Sequence, residues 1–153
     1  MNKPDVRRDF FLALGEVKLA AYRAMDRRMK PLGMSQATWR TLYWLDREGG
    51  GVTQRALAEK MGIEGPTLVR LLDNLERGGL LERRPSPVDR RANTLHLTAK
   101  AKPLIKTINR IADEIRADLC EGIDERALAE ARSVLQQVAD NAQRGKSPLS
   151  KSA

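Results

Sequence analysis

The sequence predicts a mainly α-helical fold carrying one small β-wing. Three observations lead there. Apolar residues recur at helical spacing along most of the chain, two short alternating stretches lie close together between Leu80 and Leu97, and glycines and prolines fall at the joints. With 153 residues, 41% hydrophobic and 31% charged, the chain is long enough for one domain with a real core. Its formal net charge of +8 favours an anionic partner, for which nucleic acid and an acidic membrane surface both qualify.

Residues 5–30 read as a first helix, with Phe10, Leu14, Val17, Ala21 and Met25 stacked on one face. Pro31 ends it, because the residue before a proline is driven out of the α region. Ser35 is placed to cap a second helix, which carries Trp39, Leu42 and Leu45 and stops at Gly49-Gly50-Gly51. Thr53 caps a short third helix, TQRALAEKM, with Leu57 and Met61 inward. After a turn at Gly62 a fourth helix starts near Glu64, with Pro66 in its first turn, where a missing N–H costs little. Leu68, Leu71, Leu72 and Leu75 form its inner face, and Gly78-Gly79 terminates it. Leu80 to Arg84 and Thr94 to Leu97 read as two strands around PSPVDRRAN, a loop too long for a tight hairpin and expected to project. Thr98 caps a long fifth helix with Leu104, Ile108, Ile111, Ile115 and Leu119 on one face. Pro103 should bend that helix or disturb its first turn. Asp124 caps a sixth, whose Leu128, Ala131, Leu135, Val138 and Ala142 keep a near-heptad rhythm. The tail RGKSPLSKSA is expected to be disordered.

Residues 53–77 therefore make two helices joined by a short turn. The second presents Thr67, Val69, Arg70, Asp73 and Asn74 outward. A helix-turn-helix sets such a helix in the major groove of DNA, where Arg70, long and early in the helix, can pair with a guanine. A plain helical hairpin with a solvated face fits the same spacing. The next segment shifts the balance: Arg77 to Lys100 holds six cations against two acids in 24 residues, a surplus of +4 out of the total +8. A projecting tip with Arg90 and Arg91 can follow phosphates and enter a minor groove. Asp89 can hold one of them in pose through a charge-assisted hydrogen bond.

Catalytic and metal-based functions find no support. Cys120 and His96 are single residues of their kinds, which leaves no Cys/His cluster for a metal and no nucleophile–base pair. Cys120, between Leu119 and Glu121, lacks the electropositive setting of a reactive thiolate. One cysteine makes no internal disulfide, so a reducing cytoplasm is expected. His96 is expected to face outward from its strand. FFLALGEVKLAA is interrupted by Glu16 and Lys18, which spoils both a signal peptide and a membrane span. No cofactor is expected.

GIEGPTLVRLLDNLERGGLLERRPSPVDRRANTLHLT, residues 62–98, resembles the winged-helix core of MarR-type transcriptional regulators. RRMKPLGMSQATWRTLYWL and LTAKAKPLI resemble its SlyA branch, and the likeness spans roughly residues 10–143. The resemblance implies that Arg70 reads a base in the major groove and that Arg91 enters the minor groove, supported by Arg90 and Asp89. Pro66, Thr67, Val69, Asn74 and Arg84 complete the expected DNA contacts. It also implies an obligate homodimer: residues 1–34 and 100–143 supply dimerisation helices around a DNA-binding core at 35–99, and 144–153 form a tail. The long apolar faces of the first, fifth and sixth helices point the same way, since a monomer would have trouble covering them all. Trp39, Tyr43 and Trp44 fall within six residues of a chain only 4% aromatic. In many relatives a cleft near this helix takes small lipophilic or aromatic anions, and Tyr22, Trp39 and Tyr43 sit at matching positions. Ordinary core aromatics would match as well. Some relatives anchor a carboxylate with arginines of the first helix, where this chain offers Leu19 and Tyr22. The expected protein is a dimer on a pseudo-palindromic duplex operator, released by an aromatic acid or thioester. Its rivals are a ligand-insensitive architectural DNA binder or counter-silencer, and a basic helical module for an acidic protein or membrane surface.

Overall fold

The computed structural model describes residues 5–145, so Lys146 onward in the expected disordered tail lies outside them. The chain divides into two compact units, one ending at Leu119 and the other beginning at Cys120. The first holds α1 (Val6–Met29), α2 (Gln36–Arg47), β1 (Val52–Thr53), α3 (Gln54–Met61), α4 (Gly65–Arg77), β2 (Leu81–Pro85), β3 (Asn93–Leu97) and α5 (Lys102–Leu119). The second holds α6 (Glu125–Arg144).

Helix starts follow the short polar residues in the sequence. Ser35 Oγ accepts from the N–H of Thr38 at 3.2 Å, and Thr53 Oγ1 accepts from that of Ala56 at 3.2 Å. In the second unit the Asp124 carboxylate accepts from the N–H groups of Arg126 and Ala127. Thr98 departs from expectation. It does not cap α5; its hydroxyl donates to the carbonyl of Gly79 at 2.6 Å, and a 3-10 turn at Ala99–Ala101 comes first. Pro103 is the reason, because its ring crowds the carbonyl four residues back and forbids an α turn there. The wing base is thereby tied to the Gly78–Gly79 turn, and Lys100 Nζ adds a bond to Gly78 O at 2.9 Å.

The sheet has three antiparallel strands in the order β1-β3-β2, one more than the sequence suggested. The extra strand is only Val52 and Thr53, opposite Leu95 and Thr94, too short to show any alternation. Gly49, Gly50 and Gly51, all at positive φ, lead the chain back from α2 into that pairing.

One core runs through the first unit. Met29, Leu42, Leu57, Leu68, Leu72, Leu95 and Ile108 are fully buried, joined by Met25, Leu45, Ile111 and Ile115. Truncating one of these leucines to alanine typically costs about 2–5 kcal/mol. The inner face of α5 is Ile105, Ile108, Ile111, Ala112 and Ile115; Leu104 only flanks it and Leu119 is exposed. On α1 the expected stripe is buried only at its end, at Met25 and Met29. Phe11, Leu12, Leu14, Val17 and Leu19 are exposed. Arg28 of α1 pairs with Glu114 of α5 at 2.5 Å. Hydrogen bonds from Arg28 and then Arg110 lower the pKa of Glu114. On α6, Leu128, Val134 and Leu135 are exposed.

Candidate nucleic-acid interface

The turn between α3 and α4 is made by Gly62, at φ 63°, and closed by the N–H of Ile63 on Ala58 O at 3.2 Å. Leu68, Leu72 and Leu75 pin α4 to the core by its inner face. Pro66, Thr67, Arg70 and Asn74 are exposed on the other side, and Val69 is half-buried. Pro66, Thr67, Arg70 and Asn74 share one shallow concavity. Asn74 Oδ1 is taken by Arg77, whereas the Arg70 side chain has no polar partner among the described residues. The helix thus offers one free guanidinium on a polar face.

The wing tip is a closed network of short bonds. Ser86 Oγ accepts from the N–H groups of Val88 and Asp89 at 3.2 and 3.3 Å, and Ser86 N–H donates to Ala92 O at 2.9 Å. Asp89 Oδ1 accepts from the backbone N–H of Arg91 at 2.9 Å. The sequence suggested that Asp89 holds a guanidinium, and that bond is not made. A carboxylate two residues from an N–H finds it with little entropy to lose, while an exposed ion pair gains little over water. Arg90 and Arg91 are left exposed on a fixed backbone, beside a fully projecting Val88.

Arg83 and Arg84 point to opposite faces of β2. Arg84, opposite Thr94 in register, pairs with Glu82 at 2.7 Å through Nε. Arg83 turns to α4, where Nη2 donates to Asp73 Oδ1 at 2.7 Å and Nη1 pairs with Glu76. Its side chain is 19% exposed. Burial works against its charge, yet the two carboxylates outweigh that and raise its pKa above the ordinary arginine value. This strut between helix and wing was not anticipated from the sequence. The signal was there: Asp73 and Glu76 stand three apart on one helix face, with arginines close behind. His96, expected to face solvent, is half-buried, with Nε2 2.9 Å from Thr94 Oγ1. The Thr94 hydroxyl donates to Arg84 O, so it accepts from His96 and sets that tautomer.

Tyr22, Trp39 and Tyr43 do come together. With Met25, Ile115 and Arg116 they line a cavity of about 270 Å³ between α1, α2 and α5. Tyr22 meets Trp39 edge-on, with ring centres 5.9 Å apart. Trp39 is only 4% exposed and its Nε1 donates to Asp26 Oδ1 at 2.8 Å, so it serves the core as much as the cavity. Tyr43 is less committed: its hydroxyl accepts from Arg116 Nη1 at 3.2 Å. Asp113 raises the pKa of Arg116 by a hydrogen bond, against partial burial. Arg116 is the charged member of this wall, and a search of the first helix for an arginine could not have found it. Behind the cavity, Arg40 lies over the Tyr22 ring at 4.8 Å and its Nη2 donates to Met61 O at 3.0 Å, at the end of α3.

Comparison with known proteins places this fold among transcriptional regulators. The family model described as MarR family matches residues 32–92. The chain is 43% identical to the transcriptional regulator PA3341, with a TM-score of 0.83 over 88% of this chain and 98% of that one. It is 26% identical to CouR from Rhodococcus jostii RHA1, solved bound to p-coumaroyl-CoA, with a TM-score of 0.75 over 90% of this chain and 96% of CouR. Wild-type MarR from E. coli in its apo form, 20% identical, shares the fold at a TM-score of 0.69 over 90% of this chain and 98% of that one.

Proposed function

Because the chain belongs to the MarR family of transcriptional regulators, we propose that it binds duplex DNA sequence-specifically as a homodimer and is released by a small aromatic or lipophilic anion. The observation that carries the DNA reading is Arg70, unpartnered among the described residues on the outer face of a helix whose inner face is locked in the core. In this reading Arg70 addresses a base edge, with Pro66, Thr67, Val69 and Asn74 around it, while Arg91 and Arg90 follow the adjoining minor groove. Asp89 acts by fixing the backbone at Arg91. Arg84 lies in β2 one residue pair short of the tip loop and is engaged by Glu82, unlike Arg90 and Arg91.

The exposed apolar residues of α1, and separately those of α6, support a second copy of the chain as their cover. Residues 1–34 and 100–143 are then the dimerisation parts and 35–99 the DNA-binding part. This division concerns roles, since α1 and α5 share the core with the middle segment. Twofold symmetry calls for half-sites about one helical turn apart. RRMKPLGMSQATWRTLYWL and LTAKAKPLI support placement in the SlyA branch, and the lone cysteine supports a cytoplasmic setting. No catalytic role is assigned.

For the effector, the cavity of Tyr22, Trp39, Tyr43 and Arg116 has the chemistry for a flat acid or its thioester: aromatic walls and one guanidinium. CouR, with its p-coumaroyl-CoA, supports the thioester side of that choice. The test begins by selecting operators from random duplexes. Affinity for the selected palindrome is then compared with a scrambled duplex and with anionic vesicles, at fixed salt. Preference for the palindrome by about 10³-fold or more is expected. Equal affinity for both duplexes would favour an architectural binder, and vesicle binding without duplex binding would favour a surface-docking module. Aromatic acids and thioesters are then screened for release of the complex.

A further inference from the structure

A second cleft, of about 460 Å³, shares no lining residue with the aromatic cavity and falls within the roughly 300–1,000 Å³ typical of small-molecule sites. Three elements wall it. The end of α2 and the loop after it give Asp46, Gly49 and Gly50; the face of the wing sheet opposite the Arg83 strut gives Arg84 and His96; the first turns of α5 give Lys102 and Lys106. Gly50 matters here, since a Cβ on it would come within 3.2 Å of His96 Nδ1.

The charge balance points to a ligand. Asp46 is the one acid among the lining residues, and it is engaged by Asn109 Nδ2 at 2.9 Å; Arg84 is paired with Glu82. Lys102 and Lys106 have no ion-pair or hydrogen-bond partner among the described residues. They stand one turn apart on one face of α5, where like charges repel and the helix's own N-terminal dipole adds positive potential. An anion set between them removes that repulsion. Two unpartnered lysines, an arginine shared with Glu82, a histidine and a helix start around a concave space suit an anion with several charged oxygens.

We propose that this cleft binds a small, multiply charged phosphate compound, at a site separate from the aromatic cavity. Because one wall is the wing sheet and another is α5, the occupant braces the wing base against the helix that leaves it.

Calorimetric titration of the full chain with inorganic diphosphate tests this without DNA, so its outcome is independent of the operator reading. At constant ionic strength the wild type should show a saturable site, with the amides of Gly49 and Gly50 shifting in NMR spectra. Lys102→Gln with Lys106→Gln should weaken it at least ten-fold. Arg126→Gln with Arg144→Gln, which removes the same charge from α6, should leave it unchanged. Coenzyme A in a second arm separates the sources: tighter binding than diphosphate assigns the cleft to the phosphate end of a larger ligand, weaker or equal binding to free phosphate compounds. The proposal is overturned if wild type gives no saturable heat, or if the α6 control loses as much. It is also overturned if wild type ignores diphosphate while the lysine variant loses duplex affinity, which would make the cleft a DNA-backbone contact.

Discussion

Arg70 and Arg91 make opposite demands on a binding experiment, although both are exposed arginines. Arg70 projects from a helix face suited to base edges, so Arg70→Ala should flatten the preference among operator variants. The loss on the best site should be about 1–3 kcal/mol, measured by competition between single-base variants. Full discrimination retained at every base pair would remove Arg70 as the reader. Arg91 is held at the wing tip by the Asp89 carboxylate on its N–H. Arg91→Ala should therefore weaken binding to all duplexes, most on A·T-rich flanks, where a narrow groove concentrates negative potential. The salt dependence should also become shallower, by about 0.9 for each phosphate no longer neutralised. Unchanged affinity with an unchanged slope would take the wing out of the interface. Both arginines were legible in the sequence, because helix periodicity and a proline-bounded loop expose them whatever the packing. Arg83 and Arg84 were legible as wing cations, but the faces they take and the partners they meet were not. In a strand a one-residue difference reverses the face, and the face is set by pairing with β3, which lies ten or more residues away.

Between elements, the Arg83 strut sets where the wing stands relative to α4. Asp73 and Glu76 are each nearly half exposed, so the pairs are screened and their worth is modest, about 0.5–1 kcal/mol together. Arg83→Met should lower the thermal midpoint slightly and weaken operator binding by about 2–5-fold, the same free energy expressed as affinity. Base preference should survive, since Arg70 is untouched. A variant that loses discrimination instead would show that the strut shapes the recognition helix itself. Helix order, Ser35, Thr53 and Asp124 as caps, and the break at Gly62 could all be read from the chain, because each is decided within four residues. The two-residue β1 could not, being defined only by its partner Leu95. Nor could the start of α5: Thr98 had the chemistry of a cap, but Pro103 moved the helix onward and freed Thr98 to bind Gly79.

At the scale of the whole molecule, the apolar faces of α1 and α6 were legible, and so was the trouble a single copy has in covering them: Phe11, Leu12 and Val17 on α1 are exposed, as are Val134 and Leu135 on α6. The cavity was half legible: its aromatic residues stood out by composition, while Arg116 arrives from a helix about seventy residues further on. The cavity also separates two residues that looked equivalent. Trp39 is buried and bonded to Asp26, so Trp39→Ala would cost about 3–5 kcal/mol of stability and confuse folding with response. Tyr43→Phe and Arg116→Gln are the cleaner probes, because each removes a polar group from the wall and leaves the core intact. Arg40, which touches Tyr22 on one side and the carbonyl of Met61 on the other, gives the cavity a physical route to the end of α3. A ligand can move the protein off DNA only by preferring the released state, since equal affinity for both shifts nothing. Arg116→Gln should therefore raise the concentration of an aromatic acid or thioester needed for release, with ligand-free operator affinity unchanged. Arg40→Met should leave ligand binding near the wild-type level but uncouple it from release. The measurements are a ligand titration of the free protein and a release titration of the operator complex, run side by side. If Arg40→Met moves the two titrations in step, Arg40 is part of the binding wall and the route to α3 lies elsewhere.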